Sequence, residues 1–423
     1  MKNLVKILTV AAAMAGTAEA GEGSGKRPAA GSPVVSSEPE VSLWSGEGVN
    51  LGGVLFPSFH AMGSYAATTG DFGDLSVGHH DPEVDGWNFR NFEAGLSLRL
   101  PKYFEAFAIY NVVIDPESDD LDGEFEEFFG KIKDIPGGFE VRGGRFFNRF
   151  GFQNHMHPHG YDWANQNLIN GRFLGDDGLW STSGEVTWTL PTPWTSLLSV
   201  AVGEVVAVDE HEHGDEEHGH VDFEPEGASM AGDGGLTTVN WVNKYDLNDF
   251  HQFTAVAAFG YGKNGYGSHT RIFDLGVQYE WRENGYEPGG AWWRNRAEGM
   301  MRFFEARAEH GHEEPEGHEG HGAEEHHDEA APRDLDEAGL AVSSIYGMGN
   351  GLEFGVRYEW LQGVGALGLE SRHRVSPVVT YRFGPSRCFF ARVQYDFDHG
   401  SDGGSGHSVI GQFGWNWGGA EVR

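Results

Sequence analysis

The residues best suited to chemistry in this chain are its histidines, and they are unevenly spread. The 423-residue sequence holds 21 of them. Four, His211, His213, His218 and His220, fall close together, and six more, His310, His312, His318, His321, His326 and His327, lie between Glu309 and Glu329. Acids are interleaved with both sets: nine between 209 and 226, and thirteen, against Arg307 and Arg333, between 305 and 337. Together these two segments carry −20 of the formal charge of −35. Neutral imidazole is the commonest side-chain ligand for zinc, copper and nickel, and carboxylates add oxygen donors. His-x-His and His-Gly-His steps on a flexible backbone can wrap an ion without a preformed site, so the two tracts predict capture of Zn2+ or another divalent transition metal. The alternative is a solvated acidic loop with incidental histidines. A catalytic zinc is not expected there, because a mobile loop fixes neither ligand geometry nor an open coordination position.

A third group has a different pattern. His155, His157 and His159 occupy alternate positions, which would set their imidazoles on one side of an extended segment. Pro158 stiffens that segment, and Asp162 is close enough to ligate or to orient a ring. The expectation is an ordered metal site, with a loop whose histidines pack on aromatics as the competing reading. His60, His79, His80, His251, His269, His373, His399 and His407 read as ordinary surface or lumen residues. No catalytic residue is nominated: His-Glu-x-x-His, Gly-x-Ser-x-Gly and Gly-Lys-Ser/Thr motifs are absent, and the pairs Asp176-Asp177 and Glu126-Glu127 say little in so acidic a chain. The single Cys388 excludes an intramolecular disulfide and a thiolate zinc knuckle. An acid excess of 64 to 29 also argues against nucleic-acid binding, which rests on Lys and Arg at phosphates.

The elements that must carry these groups are short strands. Residues 1–20 read as a secretory signal peptide, with Lys2 and Lys6 before an apolar run and Ala18-Glu19-Ala20 at the cleavage site. Residues 21–45 read as a disordered leader. No stretch reaches ~18 consecutive apolar residues, so no transmembrane helix is expected. From Val49 the pattern has period two: Ala94, Leu96, Leu98 and Leu100 share one face, while Glu93, Gly95, Ser97 and Arg99 share the other. About fifteen such segments can be counted, and closure of a bacterial barrel asks for an even number. Connections alternate between tight (Pro136-Gly137-Gly138, 246–249, 347–351, 384–386) and long (64–86, 151–182, 208–235, 305–337), as in outer-membrane barrels. Aromatics near strand ends, including Tyr103, Phe150, Trp188, Tyr245, Trp293 and Tyr381, suit interfacial girdles. Phe125, Phe128, Phe129 and Ile132 have helical spacing, although a hairpin arm is equally compatible. The expected fold is an all-β transmembrane antiparallel barrel of about 16 strands over 46–417, with a tail at 418–423. A plugged 22-stranded transporter is excluded, since ~23 residues per strand and connection leave room for only ~16 strands.

The run GGRFFNRFGFQNHMHPHGYDWANQNLINGRFLGDDGL, residues 143–179, resembles Gram-negative outer-membrane porin-like proteins with His-rich loops, a group called zinc-regulated or TonB-associated. Gly144-Arg145-Phe146 with Phe150-Gly151 also resembles phosphate-selective porins. The resemblance implies an outer-membrane location and a part in divalent-metal uptake, with zinc the expected ion. The resulting expectation is a passive, cation-preferring channel in outer-membrane lipid, a homotrimer by analogy, with acidic loops that concentrate metal at its mouth. Two alternatives stand beside it: an adhesive or structural barrel, and an anion-selective porin using Arg142, Arg145 and Arg149.

Overall fold

Alternation between lipid-facing and inward-facing side chains runs through the strands, and the sheet they form closes on itself. The computed structural model describes residues 49–70, 77–114, 121–206, 226–230, 234–306, 333–401 and 403–418. The signal peptide, the leader and both His/acid-rich tracts, with all ten of their histidines, lie outside the described residues. The strands are β1 (Leu55–Thr68), β2 (Gly86–Leu100), β3 (Phe104–Ile114), β4 (Leu121–Ile135), β5 (Phe139–Phe147), β6 (Trp180–Thr189), β7 (Thr195–Val205) and β8 (Gly235–Asn248), then β9 (His251–Lys263), β10 (His269–Arg282), β11 (Trp292–Ala306), β12 (Arg333–Gly347), β13 (Leu352–Leu361), β14 (Arg372–Phe383), β15 (Phe389–Gly400) and β16 (Ser405–Trp417). Each pairs antiparallel with its sequence neighbours, and β1 pairs with β16 from Phe59↔Trp417 to Thr68↔Ser408, so the barrel is closed. Closure satisfies every strand's backbone groups without an open edge, the condition for crossing hydrocarbon.

β15 shows why these residues form such a wall. Val393 is 58% exposed on the outside, with Tyr395 and Phe397 on the same face, while Arg392, Gln394 and Asp396 are buried inside. β2 repeats the division, with Phe92 and Leu96 outward and Glu93 and Ser97 inward. One expected girdle residue does not belong there. Phe150 is fully buried in an apolar cluster inside the barrel, because the chain has already turned into the lumen after β5.

The helical spacing at 125–132 has a specific cause. The segment is strand β4, and its register against β3 slips between Ile109 and Tyr110, which pair with Glu127 and Phe125 and leave Glu126 as an extra residue. A β-bulge of this kind shifts the phase of alternation by one. Phe125 and Phe128 therefore both face outward, and Glu126 and Glu127 are both buried.

The connection between β5 and β6 folds inward and carries α1 (Leu168–Leu174), capped by Asn167, whose side chain accepts from the Asn170 N–H. Leu168, Ile169, Phe173 and Leu174 pack with Phe150 and Leu179 against Leu236, Ile272, Met300 and Leu361 of the wall. The first long connection follows it in: Asp81 accepts the Gln166 N–H at 2.8 Å, and His79 donates its backbone N–H to Asp176 at 3.1 Å. A methyl group at Gly171 would lie 2.1 Å from the Val77 carbonyl, so glycine is what lets the two connections meet.

Candidate functional site

Inward parity on three strands, plus one end of the inward connection, assembles a cluster of imidazoles and carboxylates. His60 on β1 and Glu93 on β2 are direct cross-strand partners, and both are buried. The β4 bulge adds Glu126 and Glu127 together. From the connection, His157 enters fully buried and His159 nearly so. His159 Nδ1 lies 2.7 Å from Glu93 Oε2, and His157 Nδ1 lies 2.8 Å from Glu126 Oε2 and 3.7 Å from Glu93 Oε1. The other nitrogen of His157 is 2.9 Å from Glu127 Oε2. His80, from the first long connection, approaches Glu126 at 3.0 Å. The His60 and His159 rings stack at 3.6 Å, 3° from parallel.

Surrounding groups orient this cluster. Asn416 on β16 places its side-chain oxygen 3.2 Å from His60 Nδ1, and a proton on Nδ1 in that contact leaves the lone pair on Nε2. The Asn91 amide donates to Glu93, and the Phe147 N–H donates to Glu127 at 3.1 Å. One ligand atom from each of His60, Glu93 and His159 falls within a 4.8 Å span, as does one from each of Glu93, Glu126 and His157. Either trio can supply the mixed nitrogen and oxygen donors that suit a transition-metal dication.

The expected alternate-position triad is therefore only partly assembled. Pro158–Gly160 is a turn of 3-10 helix, not an extended segment, since Pro158 starts the turn with its fixed φ. His155 sits exposed in a preceding turn closed by Met156 N–H on the Gln153 carbonyl at 2.8 Å. Asp162 is directed elsewhere, to Arg294 Nη1 at 2.9 Å, on the far side of the lumen. Burial would raise the Asp162 carboxyl, but Arg294 and Arg296 outweigh it and hold it below the ordinary range. Conversely, His60, His80, Glu93, Glu126 and Glu127 are participants that the pattern of histidines alone missed. The readable signal was parity: Glu93 opposes the apolar face of β2.

Elsewhere the lumen wall fastens the inward connection. Arg392 donates to the carbonyls of Tyr161 and Trp163, both at 2.6 Å, and Arg357 donates to the Asn165 carbonyl at 3.2 Å and to its side chain at 2.6 Å. Glu359 accepts the Leu168 N–H at 2.7 Å and Glu298 the Phe152 N–H at 2.6 Å. A small cavity of about 30 Å³ remains beside the connection, lined by Gln153, Met156, Asp162, Arg296, Glu298 and Arg357. The three arginines expected to offer positive charge to an anion are occupied. Arg142 and Arg149 reach Glu185 at 3.0 and 3.2 Å, and Arg145 lies on the Trp180 ring at 3.6 Å, with Glu124 at 3.5 Å.

No family model matches the chain. A stretch of 128 residues, 30% of the chain, is 33% identical to an "Uncharacterized protein" of Aquifex aeolicus (strain VF5), and the match spans about a quarter (26%) of that protein's length. Among solved structures, the barrel is similar to Salmonella typhi OmpF, at a TM-score of 0.53 and 11% identity over 86% of this chain and 97% of OmpF. It is similar also to the outer-membrane channel DcaP of Acinetobacter baumannii (0.52, 10%, 88% and 100%) and to Pseudomonas putida OprB (0.51, 10%, 86% and 94%). At these identities the likeness is one of fold, a closed 16-stranded barrel of the porin kind.

Proposed function

We propose that this chain is a passive outer-membrane channel that prefers cations and takes up divalent metal, with zinc as the expected ion. The observation that carries the reading is an acid-rich lumen narrowed by an inward-folded connection: among the described residues, thirteen buried acids stand against six buried Lys and Arg. Half-buried arginines such as Arg149, Arg294 and Arg296 narrow that excess. A negative, low-dielectric passage raises local cation concentration and entry rate. The outward apolar belt and closed ring suit a bacterial outer membrane, where the similar barrels named above reside. The strands that border 207–225 and 307–332 reach the same rim as the β5–β6 connection, so the His/acid-rich tracts would gather metal where the lumen opens. Vibrio cholerae OmpT, at a TM-score of 0.50 and 9% identity, occurs in a trimer form, and a homotrimer is the assembly we propose here.

Reconstitution in a planar bilayer with a salt gradient tests this. A reversal potential of the sign for cation permeation is expected, and an anion-selective current would overturn the preference. One observation favours a second reading, a structural or adhesive barrel: α1 fills part of the lumen with apolar packing against β8, β10, β11 and β13. Absence of measurable conductance would select that reading.

A further inference from the structure

We infer that the lumen contains a built binding site for a divalent transition metal, centred on Glu93 and ligated by His60 and His159, with Glu126 and His157 as adjoining ligands. The inference deepens the metal-uptake reading but rests on residues other than the His/acid-rich tracts. Three independent features carry it. First, the donor set is of the right kind, since imidazole with carboxylate selects zinc, cobalt, nickel or copper over calcium and magnesium, which take oxygen alone. Second, the donors sit on rigid supports: His60 and Glu93 are cross-strand partners, Glu126 is fixed by the bulge, and each trio of donor atoms already falls within 4.8 Å. Ligation at about 2.0–2.2 Å then needs the His60 and His159 rings to turn out of their parallel stack, with the strands that carry the wall ligands left in place. Third, Glu93, Glu126 and Glu127 bring three carboxylates into one buried volume whose observed ion pairs for Glu93 and Glu126 are with imidazoles. Buried carboxylates need positive charge beside them. A dication supplies it and leaves the imidazoles in the neutral form that ligates.

The outer contacts complete the picture of a prepared site. Asn416 holds Nδ1 of His60, and Asn91 holds Glu93, the arrangement by which a ligand's second polar atom fixes the aim of the first. Because His157 and His159 belong to the inward connection and the other ligands to the wall, a bound ion would tie that connection to β1, β2 and β4. The site is thus also a clasp on the inward connection.

Zn2+ titrated by calorimetry into the full-length, detergent-refolded chain, with Co2+ and its visible absorption as a geometric probe, tests the assignment. Glu93→Gln and His159→Gln are expected to weaken the tightest binding by more than the ~10–100-fold that loss of a supporting group costs at metal sites, and to remove the Co2+ spectrum. A chain with Gln at the ten histidines of the two tracts is expected to keep both. Tight binding that survives Glu93→Gln but vanishes in the tract variant overturns the site and leaves metal capture by the tracts standing. Should the substituted chains fail to fold, anomalous scattering from Zn2+-soaked wild-type crystals decides: a peak between His60, Glu93 and His159 sustains the site, and its absence there overturns it. Bilayer conductance is read separately, so a silent channel would defeat the transport reading without touching this one.

Discussion

Arg357 and Arg392 show what a charged side chain does inside this barrel. Both are almost completely buried, and both direct guanidinium N–H groups at backbone carbonyls of the inward connection, so their charge holds chain in place. Hydrogen bonds to a charged donor contribute about 1.5–3 kcal/mol each, enough to keep the irregular stretch 161–165 of the connection against the wall. Asp81 performs the matching task for the first long connection, accepting the Gln166 N–H, but with a different response to acid. Burial, offset in part by that N–H, pushes its carboxyl from 3.8 up to about 6. A folded-state value above the ordinary one means that its stabilising contribution is complete below pH 3.8 and is lost as pH rises through about 6. Hydrogen exchange at the Gln166 amide, corrected for intrinsic rate, should therefore show protection falling across that window in the wild type and staying level in Asp81→Asn. Equal slopes in the two chains would assign the response to another group.

Among the elements, α1 and β4 teach opposite lessons about what the sequence carries. Strand rhythm is a local property, and alternation alone located fifteen of the sixteen strands, together with which connections are tight and which long. The missing strand, β4, was hidden by its bulge: one extra residue turns a two-residue period into the three-residue spacing of Phe125 and Phe128, which imitates a helix. The same extra residue places Glu126 beside Glu127, so the feature that obscured the strand also supplies the cluster. Ligand assembly is not local in that sense. His60 meets Glu93 only through register, and His157 meets either only because the connection folds inward, so spacing along the chain singled out His155, which is exposed, and Asp162, which pairs with Arg294. α1 is what makes the inward fold pay in apolar contact. Phe173 is fully buried between the connection and the wall, and Phe173→Ala is expected to weaken docking by about 3–5 kcal/mol. In a bilayer this should appear as larger, noisier single-channel currents, and an unchanged trace would show that α1 does not bound the conducting path.

At the scale of the whole molecule, one surface answers to lipid and the other to water and charge, and neighbouring residues belong to different solvents. Val393 and Gln394 are adjacent in β15 yet face opposite ways. Val393→Arg is expected to cost about 2–4 kcal/mol of folding free energy in vesicles if it lies near the midplane, with a smaller cost toward either rim. Gln394→Arg should leave lipid insertion intact, and a reversed order would mean that the assignment of faces is wrong. Closure of the ring carries a consequence for the order of events during assembly. His60 and Asn416 are 356 positions apart along the chain, and they become neighbours only when β1 meets β16. Asn416 also donates to the His159 carbonyl at 3.4 Å. The seat of the inward connection is therefore complete only once that strand has paired with β1. A chain that closes with the connection outside forfeits the contacts of Asn416 to both histidines.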